Sequence, residues 1–285
     1  MVRLRRVAAA VLAVGMLFAL ASTSLAAGTA NVRVLHASPD APAVDVYLDD
    51  NIVDALTNVP FGVISDYLKV PAGAHNVKVY ATGTTSSPVI DADLTLAAGK
   101  AYTVAATGAV ADIKAQVLQD DPKPVASKAN VRVVHFSADA PAVDIATAGS
   151  AVDEAVVKNL AYPDATDYLA LPGGTYDLEV RLAGETTVAL ALPNVKVQDG
   201  RAYSVFAVGS AASPAVGGNA LQAVIAVDAT APAAATGTVP PTDTVAVTSG
   251  GSVQGIGVAL LPLVVIAGIA FALASTAFVR RTNQD

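Results

Sequence analysis

Two stretches of this chain carry the residue types that could do chemistry. Residues 30–46 read ANVRVLHASPDAPAVDV and residues 129–145 read ANVRVVHFSADAPAVDI, identical at thirteen of seventeen positions. The shared set is Arg33, His36, Ser38, Asp40, Pro42 and Asp45, answered by Arg132, His135, Ser137, Asp139, Pro141 and Asp144. A histidine, a serine and an aspartate together invite a hydrolase reading, but the spacing argues against it. Alternate residues of a strand stand about 6.6 Å apart. A nucleophile must approach its base to about 2.6–3.2 Å. Neither a G-x-S-x-G elbow nor a glycine-rich oxyanion loop accompanies them.

The same residues suit a folding corner better. Serine and aspartate side chains bind nearby backbone amides in turns. Pro42 fixes its own φ and holds Ala41 extended. His36 then ends an apolar strand face, with its ring nitrogens satisfied by the turn. Arg33 and Asp45, like Arg132 and Asp144, project from the opposite face. If their strands pair, they meet across them, a contact worth about 0.2–1 kcal/mol.

Asp40, Asp45, Asp49 and Asp50 are weak calcium candidates, with Asp54 close behind. Calcium takes six to eight oxygen ligands. The cluster lacks EF-hand spacing, and Asp49, Asp50 and Asp54 lack clear counterparts in the second copy. A solvated acidic loop is the plainer reading, so no metal, cofactor or catalytic residue is assigned. Zero cysteines exclude disulfides, thiol chemistry and a lipid-modified cysteine.

The repeat extends well beyond these motifs. SDYLKVPAG (65–73) answers TDYLALPGG (166–174), and GKAYTVAATG (99–108) answers GRAYSVFAVG (200–209). The offset is 99 at the first block and 101 at the later ones. Within each copy the period is two: Val32, Val34 and His36 share a face, and Arg33 and Leu35 take the other. About seven such short runs bounded by turn residues, without a helical stretch, predict an all-β fold. The expectation is two tandem antiparallel β-sandwiches of immunoglobulin-like size at 30–119 and 129–227, joined by a Pro-containing linker at 120–128.

The ends read differently. Residues 1–27 place Arg3, Arg5 and Arg6 before an apolar run and small residues, the layout of a signal peptide. Residues 228–254 are rich in Thr, Pro, Ala and Gly and read as a disordered stalk. Residues 255–279 carry no charge and at 1.5 Å per residue span about 37 Å, enough for one transmembrane helix. Arg280 and Arg281 open a cytoplasmic tail, 280–285. The chain is thus expected to be a single-pass type I membrane protein of bacterial origin with an extracellular ectodomain. Residues 28–254 hold 23 acidic and 12 basic side chains. That anionic balance makes nucleic acid a poor partner.

The blocks VRVLHASPDAPAVDVYLDD, DYLKVPAGAHNVKVYATG and LAAGKAYTVAATG resemble the DUF4397 family of bacterial exported domains, over about 30–118 and again 129–227. The second copy departs at Ala138, where the family usually has Pro, and at Ala146-Thr147. The resemblance implies a β-sandwich surface module, often in tandem, and brings no assigned catalytic residue. The resulting expectation is a non-enzymatic surface protein with a structural or adhesive role, contacting envelope polymer or another surface protein. The alternatives are a surface module that binds a cation, glycan or small molecule, and a hydrolase using His36 or His135.

Overall fold

The computed structural model describes residues 28–212 and 216–232. The expected signal peptide, transmembrane helix, tail and most of the stalk lie outside the described residues. Among the described residues no helix is long and apolar enough to cross a membrane.

The described residues are all-β, with four four-stranded sheets in two groups of two. In the first group an inner sheet has the order β4 (Leu68–Pro71), β1 (Thr29–His36), β7 (Ala101–Thr107), β8 (Lys114–Asp120). Its outer sheet has the order β3 (Asn51–Ile52), β2 (Val44–Leu48), β5 (Gly73–Ala81), β6 (Ile90–Leu96). The second group repeats this plan. Its inner sheet is β12 (Leu169–Leu171), β9 (Ala129–His135), β15 (Arg201–Val208), β16 (Gln222–Thr230). Its outer sheet is β11 (Val157–Leu160), β10 (Val143–Thr147), β13 (Gly174–Leu182), β14 (Val188–Val197).

Period-two alternation puts one residue set of each strand between the sheets. Val32, Val46, Val77, Leu94 and Val104 belong to the core of the first sandwich. Val131, Val197 and Val205, with Val133, Ile145 and Val180, belong to that of the second. Tyr102 and Tyr203 are buried there, and their hydroxyls accept the backbone amides of Ala97 and Gln198 at 3.2 and 3.1 Å.

Among the described strands, pairing is antiparallel with two exceptions. β1 runs parallel to β7, placing Arg33 beside Thr103, and β9 runs parallel to β15, placing Arg132 beside Ser204. A wholly antiparallel plan is therefore not what forms. Parallel neighbours are normally covered on both faces, and these are. Leu35, Ala37 and Ala105 of the first inner sheet pack against Val134, Phe136, Phe206 and Val208 of the second, all at most 1% exposed. Phe136 and Phe206 stack with centroids 5.9 Å apart. The layers thus run outer, inner, inner, outer, and both repeats belong to one compact unit.

This architecture overturns one expected contact. β1 and β2 lie in different sheets, so Arg33 and Asp45 do not meet across paired strands, nor do Arg132 and Asp144. The S-x-D-A-P segment is instead the crossing from inner to outer sheet. The polar faces of β1 and β9 point not to water but into the contact between repeats.

Because that contact holds one of the molecule's apolar cores, the two sandwiches should unfold together. Phe206→Ala is expected to cost about 3–5 kcal/mol and to lower one shared denaturation midpoint, followed by near- and far-ultraviolet circular dichroism. Two separate transitions, one of them unchanged, would show that the sandwiches are independent.

Candidate functional site: the repeated corners and the charge ring between them

Each corner is built from polar groups that serve the backbone. His36 Nε2 lies 3.0 Å from the Pro42 carbonyl, and His135 Nε2 lies 3.1 Å from that of Pro141. A carbonyl only accepts, so each ring carries its proton on Nε2. Nδ1 of both rings is buried without a hydrogen-bonding partner. One ring nitrogen of each histidine is therefore satisfied by the turn, as expected, and the other is not. Burial pushes both imidazoles below their ordinary pKa, against the raising effect of the proline carbonyls.

The serines and aspartates hold connections. Asp40 accepts the Val110 amide at 2.8 Å, tying the corner to the β7–β8 connection. Asp139 does the same after β15, taking Ser210 Oγ at 2.5 Å and the Ala211 amide at 3.0 Å. Burial raises the Asp139 carboxyl, but these donors outweigh it and hold the group below its usual value. Ser137 donates to the Gly209 carbonyl at 2.7 Å, and Ser38 stands 3.5 Å from Asp40. Asp45 accepts the amides of Asn58 and Gly83 at 2.7 and 3.2 Å, which keeps its pKa low. Asp144 takes Asn159 and Gly184 at 2.7 and 2.9 Å. Asn58 and Asn159 have φ of 51° and 53°, a left-handed turn that these carboxylates clamp.

Neither corner presents a catalytic geometry. His36 and Ser38 are 0% exposed, His135 1% and Ser137 0%. The cleft of about 280 Å³ beside the corners is lined by Pro39, Asp112, Lys114, Asp139 and Tyr162, but by none of those histidines or serines. His36 faces only an interior void of about 20 Å³. The calcium candidates are dispersed among separate partners. Asp49 binds His75 Nδ1 at 2.7 Å and the Asn76 amide at 2.9 Å, and Asp50 pairs with Lys78 at 2.6 Å. Among the described residues no three His, Asp or Glu side chains converge on a metal position.

The remaining motif residues, Arg33 and Arg132, occupy an arrangement that spacing did not reveal. Arg33 Nε donates to Thr103 Oγ1 at 2.8 Å, and Thr103 donates to Asp120 Oδ2 at 2.7 Å. Asp120 Oδ1 is bound by the Arg132 guanidinium, whose Nε donates to Ser204 Oγ at 2.7 Å. Ser204 donates to Asp228 Oδ2 at 2.6 Å, and Asp228 Oδ1 accepts Arg33 at 2.6 Å. The circuit closes with two-fold pseudosymmetry, and each arginine reaches an aspartate of the other repeat. Tyr67 and Tyr168 donate to Asp120 and Asp228, both at 2.6 Å. Arg33 lies 4.6 Å from the Tyr67 ring centroid and Arg132 5.1 Å from that of Tyr168. Burial first, and the adjacent carboxylate second, push both phenols far above their ordinary pKa, so they remain donors.

Asp120 and Asp228 are the first residues beyond the expected domain ends at 119 and 227, yet β8 ends on the one and β16 runs through the other. The signal available was the similarity of AQVLQD (115–120) to AVIAVD (223–228), displaced from the main repeat offset.

A family model described as a domain of unknown function, DUF4397, matches residues 30–146 and 149–248. No curated protein matches the chain. Among solved structures, the Bacillus anthracis TIE protein is 11% identical, covering 64% of this chain and 34% of that one, with a TM-score of 0.21. The chain thus spans about a third of that structure's length. The CBM26 module CBMbc of Eubacterium rectale Amy13K, solved with maltoheptaose, is 10% identical, covering 70% and 97%, with a TM-score of 0.23. A candidate cell adhesion protein from Bacteroides eggerthii is 9% identical, covering 72% and 96%, with a TM-score of 0.19. Likeness at these TM-scores decides neither topology nor role.

Removing one member of the ring strands a buried charge. Arg132→Met alone, or Asp228→Leu alone, should cost about 3–5 kcal/mol in chemical denaturation. Changing Arg33, Arg132, Asp120 and Asp228 together to Met and Leu should cost far less than the sum. A quadruple loss equal to that sum would show that the four charges are not coupled.

The histidines set a pH dependence. Their folded pKa is depressed, so the unfolded chain binds more protons once pH falls below about 6.5. Their stabilising contribution is complete above that value. It declines on acidification, by up to about 1.4 kcal/mol per histidine per pH unit. His75 works the other way: the bond to Asp49 raises its pKa, so its contribution is present at low pH and fades as pH rises. Melting between pH 7.5 and 5.5 should therefore flatten in His36→Gln/His135→Gln and not in His75→Gln. Equal slopes in both variants would refute this assignment.

Proposed function

The chain belongs to the DUF4397 family, and from that premise we propose that it is a non-enzymatic surface protein whose paired sandwiches serve a structural or adhesive role in a bacterial envelope. The observation that carries this reading is the internal use of most polar groups of the repeated motif, with Nδ1 of each histidine buried and unpartnered. His36, Ser38, His135 and Ser137 are out of solvent. The motif aspartates clamp backbone amides, and the arginines close a neutral ring. What remains for partners is the outer surface, and residues 28–254 are strongly acidic. That balance favours cationic polymer groups or basic surface proteins over nucleic acid.

Export, a single-pass anchor at 255–279 and an extracellular ectodomain belong to the same proposal and are supported by the sequence of the two ends. An immunoglobulin-like sandwich is the finer fold reading, supported by two face-to-face sheets in each repeat.

Two measurements test the role. Protease added to intact cells should remove an epitope placed at the start of the ectodomain; removal only after lysis would defeat the surface assignment. Deleting residues 28–232 should reduce attachment between cells or to envelope material. His36→Gln/His135→Gln, assayed where the protein is still folded, should leave attachment unchanged. A hydrolytic activity on envelope substrates that disappears in that folded variant would replace this reading with the enzymatic one.

A further inference from the structure

We propose that the first sandwich binds one unbranched acyl chain between its sheets, through the edge where β3 and β4 lie. A cavity of about 330 Å³ opens there, walled by Val34, Leu48, Leu56, Leu68, Leu94 and Leu96. The single charged residue on its wall, Lys69, is exposed and directs its ammonium to Asn31 Oδ1 at 3.4 Å. Protein interiors seldom leave voids larger than a water. Water is a poor filler here, because it needs two to four polar partners and the wall is almost wholly apolar. A dry apolar cavity of about 150 Å³ is already large enough to bind benzene.

The void is local. Towards the other end of the same core, around His36, Val44 and Ile90, only about 20 Å³ is left. The result is a blind pocket rather than a loosely packed domain. An apolar wall excludes sugars, amino acids and nucleotides as occupants of the interior. A slot between sheets that pack about 10 Å apart admits a thin flexible chain. At roughly 30 Å³ per methylene, taken as similar to one water's share of the liquid, the pocket accommodates about ten carbons. Lys69 then stands at the rim beside an anionic head group.

The second sandwich shows which residue sets the size. Its cavity has the same walls, at Val133, Leu169, Leu171 and Leu178, but measures about 120 Å³. Tyr176 forms part of that wall, whereas the equivalent His75 is not in the wall of the first. The two side chains bind equivalent proline carbonyls, Tyr176 that of Pro172 at 2.7 Å and His75 that of Pro71 at 2.8 Å. Exchange at this position is therefore matched at the proline carbonyl, although His75 also holds Asp49. This inference stands whether or not the surface role does, because it rests on the cavity alone.

The test uses the full chain in lipid vesicles and a palmitate bearing a photoactivatable diazirine near its tail. One arm supplies it as the free acid, and the other as the acyl chain of phosphatidylcholine in the vesicle. After irradiation, peptide mapping should place label on the cavity wall, at Leu56, Leu68 or Leu94. Val34→Phe and His75→Tyr should each lower that label at least tenfold, and Tyr176→His should raise label in the second sandwich. Label from the free acid alone identifies a diffusible fatty acid, and label from the phospholipid alone identifies a membrane lipid tail; either supports the site. No wall label from either source overturns the proposal. So does label that persists in His75→Tyr with wild-type melting.

Discussion

Two guanidinium groups lie out of water between the inner sheets, and the rest of the molecule answers to that. Desolvating each ion costs several kcal/mol unless geometry and hydrogen bonding offset it. The offset here is a closed circuit in which Arg33 reaches Asp228 and Arg132 reaches Asp120. Arg33 has a longer second contact to Asp120 at 3.8 Å, but each close ion pair crosses from one repeat to the other. Neither repeat can satisfy its own arginine alone. The adjoining Phe136–Phe206 core supplies non-directional attraction, which by itself would allow the sheets to slide. Directional bonds around the ring fix their register.

The corners follow from a second constraint, that a chain passing from one sheet to the other leaves backbone amides without ladder partners. Buried amides must be satisfied. The two aspartates of S-x-D-A-P-x-V-D do this at separate points, the first on the connection after β7 or β15, the second on the left-handed asparagine and the following glycine turn. The histidine covers the proline carbonyl between them. This set resembles a catalytic group because the side chains that accept and donate protons in catalysis are also those that cap turns. Burial and partners decide between the two uses, and here the serines and histidines are out of solvent.

Much of this was legible in the chain. Internal identity revealed the repeat and alternation revealed strands, but Ser38 and Asp40 do not serve nearby backbone amides as expected: Ser38 faces the Asp40 carboxylate, and Asp40 takes the Val110 amide 70 residues away. His36 was correctly placed at the end of an apolar face. The partner of Arg33 was not legible. Asp45 is near in sequence and opposite in sign, while Asp228 is 195 residues away. Asp120 and Asp228 are also 108 residues apart, outside the 99–101 offset of the other matches, because the β15–β16 connection is longer than its counterpart. Each precedes a Pro-containing stretch, so composition assigned them to linker and stalk. A polar strand face normally signals water; here it signals another repeat, and one sequence does not distinguish the two. Cavities were likewise invisible, since they depend on what is missing between side chains.

The duplicated copies are not equal, and the differences fall where the ring does not reach. Thr103 and Ser204 both relay a proton donor to an aspartate, so their exchange leaves the circuit intact. The longer β15–β16 connection instead adds a contact with no equivalent in the first repeat: Asn219 Nδ2 donates to the Pro39 carbonyl at 2.6 Å. Gly217, at φ 63°, lies so close beside it that a Cβ would collide with the backbone of Pro39 and Asp40. The second repeat thereby covers the first corner, while His75 and Tyr176 leave the two sandwich interiors with different volumes. Constraint at the shared face keeps arginine, hydroxyl and aspartate matched across copies. Freedom away from the shared face allows the copies to diverge, at the outer edges and where the longer β15–β16 connection covers the first corner.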